Sequence, residues 1–278
     1  MKTLIQKASG ELVPFDSSKL RQSLVRSGAE EVVIDQIVKE IEDWISGQAV
    51  IPSNKIYARA FSMLRKMTTS NAARYKLKTA MMELGPTGHP FEHFVGEIYR
   101  SLGFDVKVSV ILDGHCVTHE VDVVATKENH QRFIECKYYQ STGKNANVQV
   151  PLYIRSRVDD IIRKKKTASG FENFTFSGGV VTNTRFTSDA EAYGECSGLF
   201  LMSWDYPKGN GLKDIIDREK IFPVTSLSNL TYSHKQALMD KGIVICRQIL
   251  KDLKVLDSLN LGDVKRRKVL EELNALAG

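Results

Sequence analysis

A chain of 278 residues, 42% of them hydrophobic, exceeds one typical domain and is apolar enough for each third to bury a small core. Its formal net charge of +6 favours a polyanionic partner; no run approaches eighteen apolar residues, and MKTLIQKASG lacks a signal peptide's apolar stretch, so the expectation is a soluble, cytosolic, non-membrane protein. Four cysteines (116, 136, 196, 246) form no C-x-x-C pair, which argues against a zinc or disulfide scaffold, and the spacing of His115 and His119 makes them surface or substrate-side residues.

The first eighty or so residues open with KTLIQKASGELVPFD, hairpin-like around a Ser-Gly turn, and continue in helical patterns near 17–27, 31–46, 54–67 and 70–83. Lys7, Gly10, Phe15, Asp16, Lys19 and Leu20, with Tyr75-Lys76-Leu77-Lys78 further on, resemble the ATP-cone, the nucleotide-binding module at the front of ribonucleotide reductases and their repressors. The resemblance implies a helical regulatory domain over residues 1–85 that takes ATP or dATP. It would use Lys7 and Lys19 at the phosphates, the Gly10 turn and Phe15 beside them, and Lys78 as a peripheral contact. Two positions depart from the pattern: Ala8 stands where Arg is usual and Ser9 where Asp or Asn is, so one phosphate-binding guanidinium is missing. No G-x-x-x-x-G-K-[ST] occurs, which makes the nucleotide a sensed ligand and not a fuel. Each lysine also reads as solvated surface charge.

GPTGHP, residues 85–90, ends that helical series. Phe91, Phe94, Val95, Ile98, Tyr99 and Leu102 then recur at helical spacing, closing at Gly103 before a strand. EVDVVA and RFIECKYY read as strands across the polar turn KENHQ. Side chains two apart on a strand share a face, which pairs Glu120 with Asp122 and Glu135 with Lys137. A hairpin would gather three carboxylates and an ammonium, a set suited to a hard divalent cation, although alternating charge also describes a solvated sheet face. VPLYIRSRVDDIIRKKK is an amphipathic helix ending in the basic run Arg163–Lys166. FTFSGGVVTNTRFTSDAEAY supplies a strand, a TN turn and a helix opened by a Ser188-to-Glu191 capping box, completing a βαβ unit.

Asp122 followed by Glu135-Cys136-Lys137 resembles the PD-(D/E)xK nuclease superfamily, and TN-x-x-FT-x-x-A with SGLFLMSWDYP resembles the second half of Mrr-like restriction endonucleases. Over residues 88–217 this implies an α/β restriction-endonuclease-like domain with a mixed sheet. Asp122, Glu135 and, from the first turn of the leading helix, Glu92 would hold Mg2+ (or Mn2+), Lys137 would orient water, and Glu120 is a second-rank candidate. Glu92 reads equally as a helix N-terminal acid favoured by the macrodipole. Many Mrr-like enzymes have Gln where this chain has Glu135, so a methylated substrate is not carried over.

Residues 221–278 place Leu227, Leu230, Leu238, Ile243 and Ile249 in short helical steps, and LMDKGIVICRQIL resembles helix-hairpin-helix repeats, with Leu230-Thr231-Tyr232 where the first hairpin usually has glycine. This small all-α module reads either as a grip on DNA backbone, with Lys265–Lys268 as contacts, or as an interaction or dimerisation cap. The expectation is a nucleotide-regulated, metal-dependent DNA endonuclease, for which cutting both strands would favour a homodimer. The alternative is a non-catalytic, ATP- or dATP-responsive DNA-binding regulator using a nuclease-like fold.

Overall fold

The computed structural model describes residues 3–7, 9–141 and 143–278. Ile5 at the centre of β1 (Leu4–Gln6) pairs antiparallel with Val13 of β2 (Leu12–Pro14) and parallel with Ile51 of β3 (Val50–Pro52). Gly10 turns the β1–β2 connection at φ +88°, a conformation that costs glycine little. Helices α1 (Ser17–Arg26), α2 (Glu31–Ile45) and α3 (Ser53–Met67) pack on this sheet. Ile34, Ile37, Val38, Ile41 and Ile45 form the buried stripe of α2, and Asp16 caps α1 by accepting from Ser18 N. The helical expectation for this segment is corrected: it begins with strands, and β3, which local pattern left unread, completes a three-stranded sheet. Ala8 lies outside the described residues.

Helix α4 (Thr69–Met82) belongs to two cores. Ala72 packs with the N-terminal helices, whereas Ala73, Leu77 and Met81 join an apolar cluster that continues to the end of the chain. Helix α5 (His89–Ser101) leads from there into β4 (Asp105–Asp113), β5 (Thr118–Lys127) and β6 (His130–Lys137). After the short β7 (Asn145–Ala146), α6 (Gln149–Lys165) crosses to β8 (Thr175–Thr182). Next come β9 (Arg185–Phe186), α7 (Ser188–Ser197), β10 (Phe200–Met202) and α8 (Leu212–Glu219). The mixed sheet has order β10-β8-β6-β5-β4, parallel from β6 outward to β10 and antiparallel from β6 to β4. Helix α5 packs on one face and α6 on the other. The α6 contact is close enough that a Cβ on Gly178 would fall 2.5 Å from Val158 Cγ2, which explains the glycine in FTFSGG. The expected Ser188-to-Glu191 capping box is corrected to a simple cap: Thr187 is the N-cap, its side chain accepting from Ala190 N, and alanine at that third position cannot return the bond.

The C-terminal α9 (Tyr232–Met239), α10 (Cys246–Lys251) and α11 (Asp263–Ala277) drive Leu238, Ile249, Leu273 and Leu276 into the cluster that holds α4 and α5. Polar bonds pin the seam. Thr225 donates to the Ala80 carbonyl at 2.7 Å, and the buried Lys235 ammonium donates to the Thr225 carbonyl at 2.7 Å and to Glu83 at 3.2 Å. Removing one partner of a buried charge leaves the other unsatisfied. Glu83→Ala is expected to lower the urea unfolding free energy by about 2–3 kcal/mol. Adding Lys235→Met should recover most of the loss, and a single-variant stability unchanged from wild type would count against this seam.

Candidate active site

The centre of the mixed sheet is shaped by a local break in pairing. Strands β4 and β5 keep one register throughout, with Val108 opposite Val123 and Val110 opposite Val121, yet Ser109 and Asp122 between them do not pair, and Ser109 sits at φ +53°. Across this step the apolar side of the hairpin changes face. Val106, Val108, Val123 and Ala125 pack toward α5, whereas Val110, Leu112 and Val121 pack toward α6. On the other side of β5, pairing with β6 starts only at Val123 opposite Ile134. Asp122 therefore sits where the ladder opens, and its Oδ2 accepts from Cys136 N at 2.6 Å in place of a backbone acceptor.

Glu135 and Lys137 behave as the period-two spacing predicts. Lys137 Nζ donates to Glu135 Oε1 at 2.6 Å. The other oxygen of this nearly buried carboxylate accepts from Arg157 Nη1 at 2.8 Å, so each side of Glu135 carries a cation. Burial opposes the charge of Lys137, but the Glu135 hydrogen bond and charge outweigh it and raise the pKa, which keeps the group an ammonium. Burial, followed by the nearby Asp122 charge, pushes the Cys136 thiol well up and leaves it unreactive.

Asp122 has no such cationic contact. Burial, then the charge of Glu135 and, more weakly, of Glu92, pushes its carboxyl up to about 7. Glu92 enters from the first turn of α5, its Oε2 accepting from Ser109 Oγ at 3.2 Å and lying 3.6 Å from His89 Nδ1. The sequence-predicted Asp122, Glu135, Lys137 and Glu92 are thus brought together. Glu120 is not: because the strand changes face beside Asp122, the two-residue rule fails, Glu120 is exposed, and only its carbonyl takes part by accepting from Arg157 Nη2.

Among the described residues, no three acidic, histidine or cysteine side chains stand close enough together to hold a metal ion. The donor chemistry nevertheless fits a hard cation. Asp122 and Glu92 are carboxylates without a lysine or arginine partner among the described residues, and the repulsion that raises the Asp122 pKa is what a cation would relieve. Glu135 would have to exchange one of its two present partners.

Arg157 was not singled out from sequence, since an arginine three residues after Ile154 on an amphipathic helix carries no mark of its long-range partner. Its guanidinium also lies 5.5 Å from the Tyr153 ring centroid. The reading of His119 as a surface or substrate-side residue is corrected. It is largely buried and bonds Asp160 at 2.8 Å, and Asp160 also accepts from Cys116 N and Val117 N. The His119 bond comes first among the causes holding Asp160 well below the usual carboxylate range, so this cluster clamps the β4–β5 tip to α6.

Of the expected nucleotide contacts, Lys7 pairs with Glu11 at 2.8 Å and Lys19 with Asp16 at 3.7 Å, both lysines exposed, while Phe15 packs partly buried on the N-terminal core. Lys78 instead lines a cleft of about 530 Å³ with Tyr57, Tyr75 and Gln140, where burial and then the Arg185 charge lower its pKa.

The restriction endonuclease family of the Mrr catalytic type matches residues 85–205, and the family AF1548-like, C-terminal, matches residues 222–277. An uncharacterized protein from Archaeoglobus fulgidus is 28% identical over 177 residues, covering 63% of this chain and 95% of the relative. A crystal structure of a protein of unknown function, AF1548, is similar at a TM-score of 0.56 and 27% identity, over 69% of this chain and 99% of that one. Residues 85–205 are thus similar to restriction endonucleases, and residues 222–277 to the AF1548-like C-terminal family. The ATP-cone resemblance of residues 1–85 rests on its own motif alone.

Asp122 binds its proton more tightly in the folded state than the ordinary value of 3.8 allows, so its contribution is greatest below about pH 4 and is lost as the pH rises toward about 7. The stability of wild type relative to Asp122→Asn should therefore fall by about 2–4 kcal/mol between pH 4.5 and 8 in urea titrations. A difference that does not vary with pH would refute the cluster's electrostatics.

Proposed function

We propose that this protein is a metal-dependent DNA endonuclease. The observation that carries the proposal is the convergence of Asp122, Glu135, Lys137 and Glu92 at an opened ladder, inside the segment similar to restriction endonucleases. Asp122 and Glu92, with Glu135 after it releases a cation, would hold Mg2+ or Mn2+, whose chemistry is to polarise the phosphate and lower the pKa of bound water. The Cys136 amide fixes one oxygen of Asp122 and so orients the other. Lys137, held as an ammonium, acts electrostatically: it orients water and offsets the charge that grows on the phosphorane, and does not serve as the base. Arg157 holds Glu135 aimed until the substrate phosphate competes for the guanidinium.

The reading places the enzyme with DNA in the cytosol, and no described helix is long and apolar enough to cross a membrane. One site per chain favours a homodimer for double-strand cleavage. ATP or dATP is a second ligand in this proposal, held at the Gly10 turn by the exposed Lys7 and Lys19. Helix α4, shared between the N-terminal and central cores, offers a mechanical route from that ligand to the site.

Purified protein with Mg2+ should nick or linearise plasmid DNA. Asp122→Ala and Glu135→Ala should abolish this with DNA affinity equal or higher, because a carboxylate near phosphate is removed. Lys137→Ala should lower turnover by roughly 10²–10³-fold. Full single-turnover activity in either acid variant sinks the assignment, and retarded but intact DNA with the wild type would favour the non-catalytic regulator.

For the nucleotide, ATP or dATP at millimolar concentration should raise the Tm of the full chain by mass action and remain unhydrolysed. Lys7→Ala with Lys19→Ala should remove the shift. No shift and no calorimetric heat for either nucleotide would remove the regulatory half of the proposal.

A further inference from the structure

A cleft of about 680 Å³ opens where α3 meets the start of α9 and of α11. Three cations line it, and they come from distant parts of the chain: Arg65 in the last turn of α3, and Lys265 and Lys268 on the first turns of α11. Among the described residues none of the three has a carboxylate partner; Asp263 is the one acid of the lining. Arg65 is instead aimed by the Asn229 side-chain carbonyl, which accepts from its Nη2 at 3.1 Å. That carbonyl is itself held from below. Glu272, almost fully buried, accepts from Ser228 N, Ser228 Oγ, Asn229 N and Asn229 Nδ2 at 2.7 to 3.1 Å. Four hydrogen bonds on one buried carboxylate fix the loop, and the fixed loop sets the guanidinium.

The lining has two further properties. The N-cap of α9, Thr231, and that of α11, Gly262, both face the cleft, so two sets of helix N-terminal amides add positive potential to the three side chains. Among the described residues no aromatic ring lines it, so they offer nothing on which a base would stack. The next residue after Thr231, the exposed Tyr232, lines a second cleft of about 790 Å³ with His89 and His93 of α5, and His89 stands beside Glu92. The two clefts are thus lined by consecutive residues at the start of α9, and the second reaches His89, 3.6 Å from Glu92 of the carboxylate cluster.

We propose that the Arg65–Lys265–Lys268 cleft is an anchoring site for the sugar–phosphate backbone of DNA, from which a strand runs past Tyr232 to Asp122. The proposal rests on the nuclease reading above. It makes the N-terminal and C-terminal units joint owners of one DNA contact, independent of base sequence.

The test measures affinity of the full-length protein for a short fluorescent duplex, without metal, over a range of salt. Arg65→Gln/Lys265→Gln/Lys268→Gln is compared with wild type and with Lys39→Gln/Lys208→Gln/Lys251→Gln, which removes equal charge from exposed sites elsewhere. The cleft variant should reduce the slope of log affinity against log salt by about 2–3, with the control close to wild type. Circular dichroism and Tm confirm that each variant is folded. Equal losses in both variants, or none in the cleft variant, overturn the site while leaving the nuclease reading intact. A wild type that binds no duplex removes both. A parallel ATP titration separates the sources of phosphate: a cleft variant that loses ATP heat but keeps DNA affinity overturns the backbone assignment.

Discussion

The central mixed sheet of the molecule depends on one interrupted step in a β-ladder. A backbone amide buried in a sheet must find an acceptor, and when β5 and β6 part company at Asp122 the Cys136 amide takes the aspartate carboxylate instead. The same step lets the β4–β5 hairpin turn its apolar side from α5 to α6, with Ser109 absorbing the change in a left-handed conformation opposite Asp122. A strand that paired regularly would present Asp122 to solvent or bury it without a donor. The break gives the carboxylate a fixed oxygen, a fixed position and Glu92 as a neighbour.

From that placement follows an uneven distribution of charge. Glu135 is neutralised on both oxygens by Lys137 and Arg157, while Asp122, poorly solvated and facing two other carboxylates, retains its proton to about pH 7. A core built for stability alone would have no use for the uncompensated acid, since burying one costs free energy. The tension sits where β5 and β6 part, the pattern expected where stability yields to a site. Local hydrogen-bond demands thereby connect to chemistry.

The three segments do not act as beads on a string. Helix α4 presents Ala72 to the N-terminal core and Ala73, Leu77 and Met81 to the central one, and the C-terminal helices close over the same cluster. The buried Lys235 and Glu272 secure this arrangement with bonds to the loop at Thr225–Asn229 and to Glu83. Packed interiors transmit displacement poorly along a continuum and well between discrete arrangements, so a shift of α4 would be felt on both of its faces.

Sequence by itself determined what depends on a few neighbouring residues. The stripe of α2, the extent of α5, the shared face of Glu135 and Lys137 and the β6–α6–β8 unit are all written in local periodicity, because helix and strand geometry repeat within one or two turns. Glu92 was marked by the family resemblance, since an acid in a first helical turn reads equally as a partner of the macrodipole. Tertiary structure decided what depends on partners far away in the chain. Arg157 reaches Glu135 across 22 positions, His119 reaches Asp160 across 41, and β3 becomes a strand only by finding β1. Glu120 shows the limit most plainly: the two-residue rule presumes an undistorted strand, and whether the strand stays undistorted is settled by which helix covers each face, a choice that no window of local sequence contains.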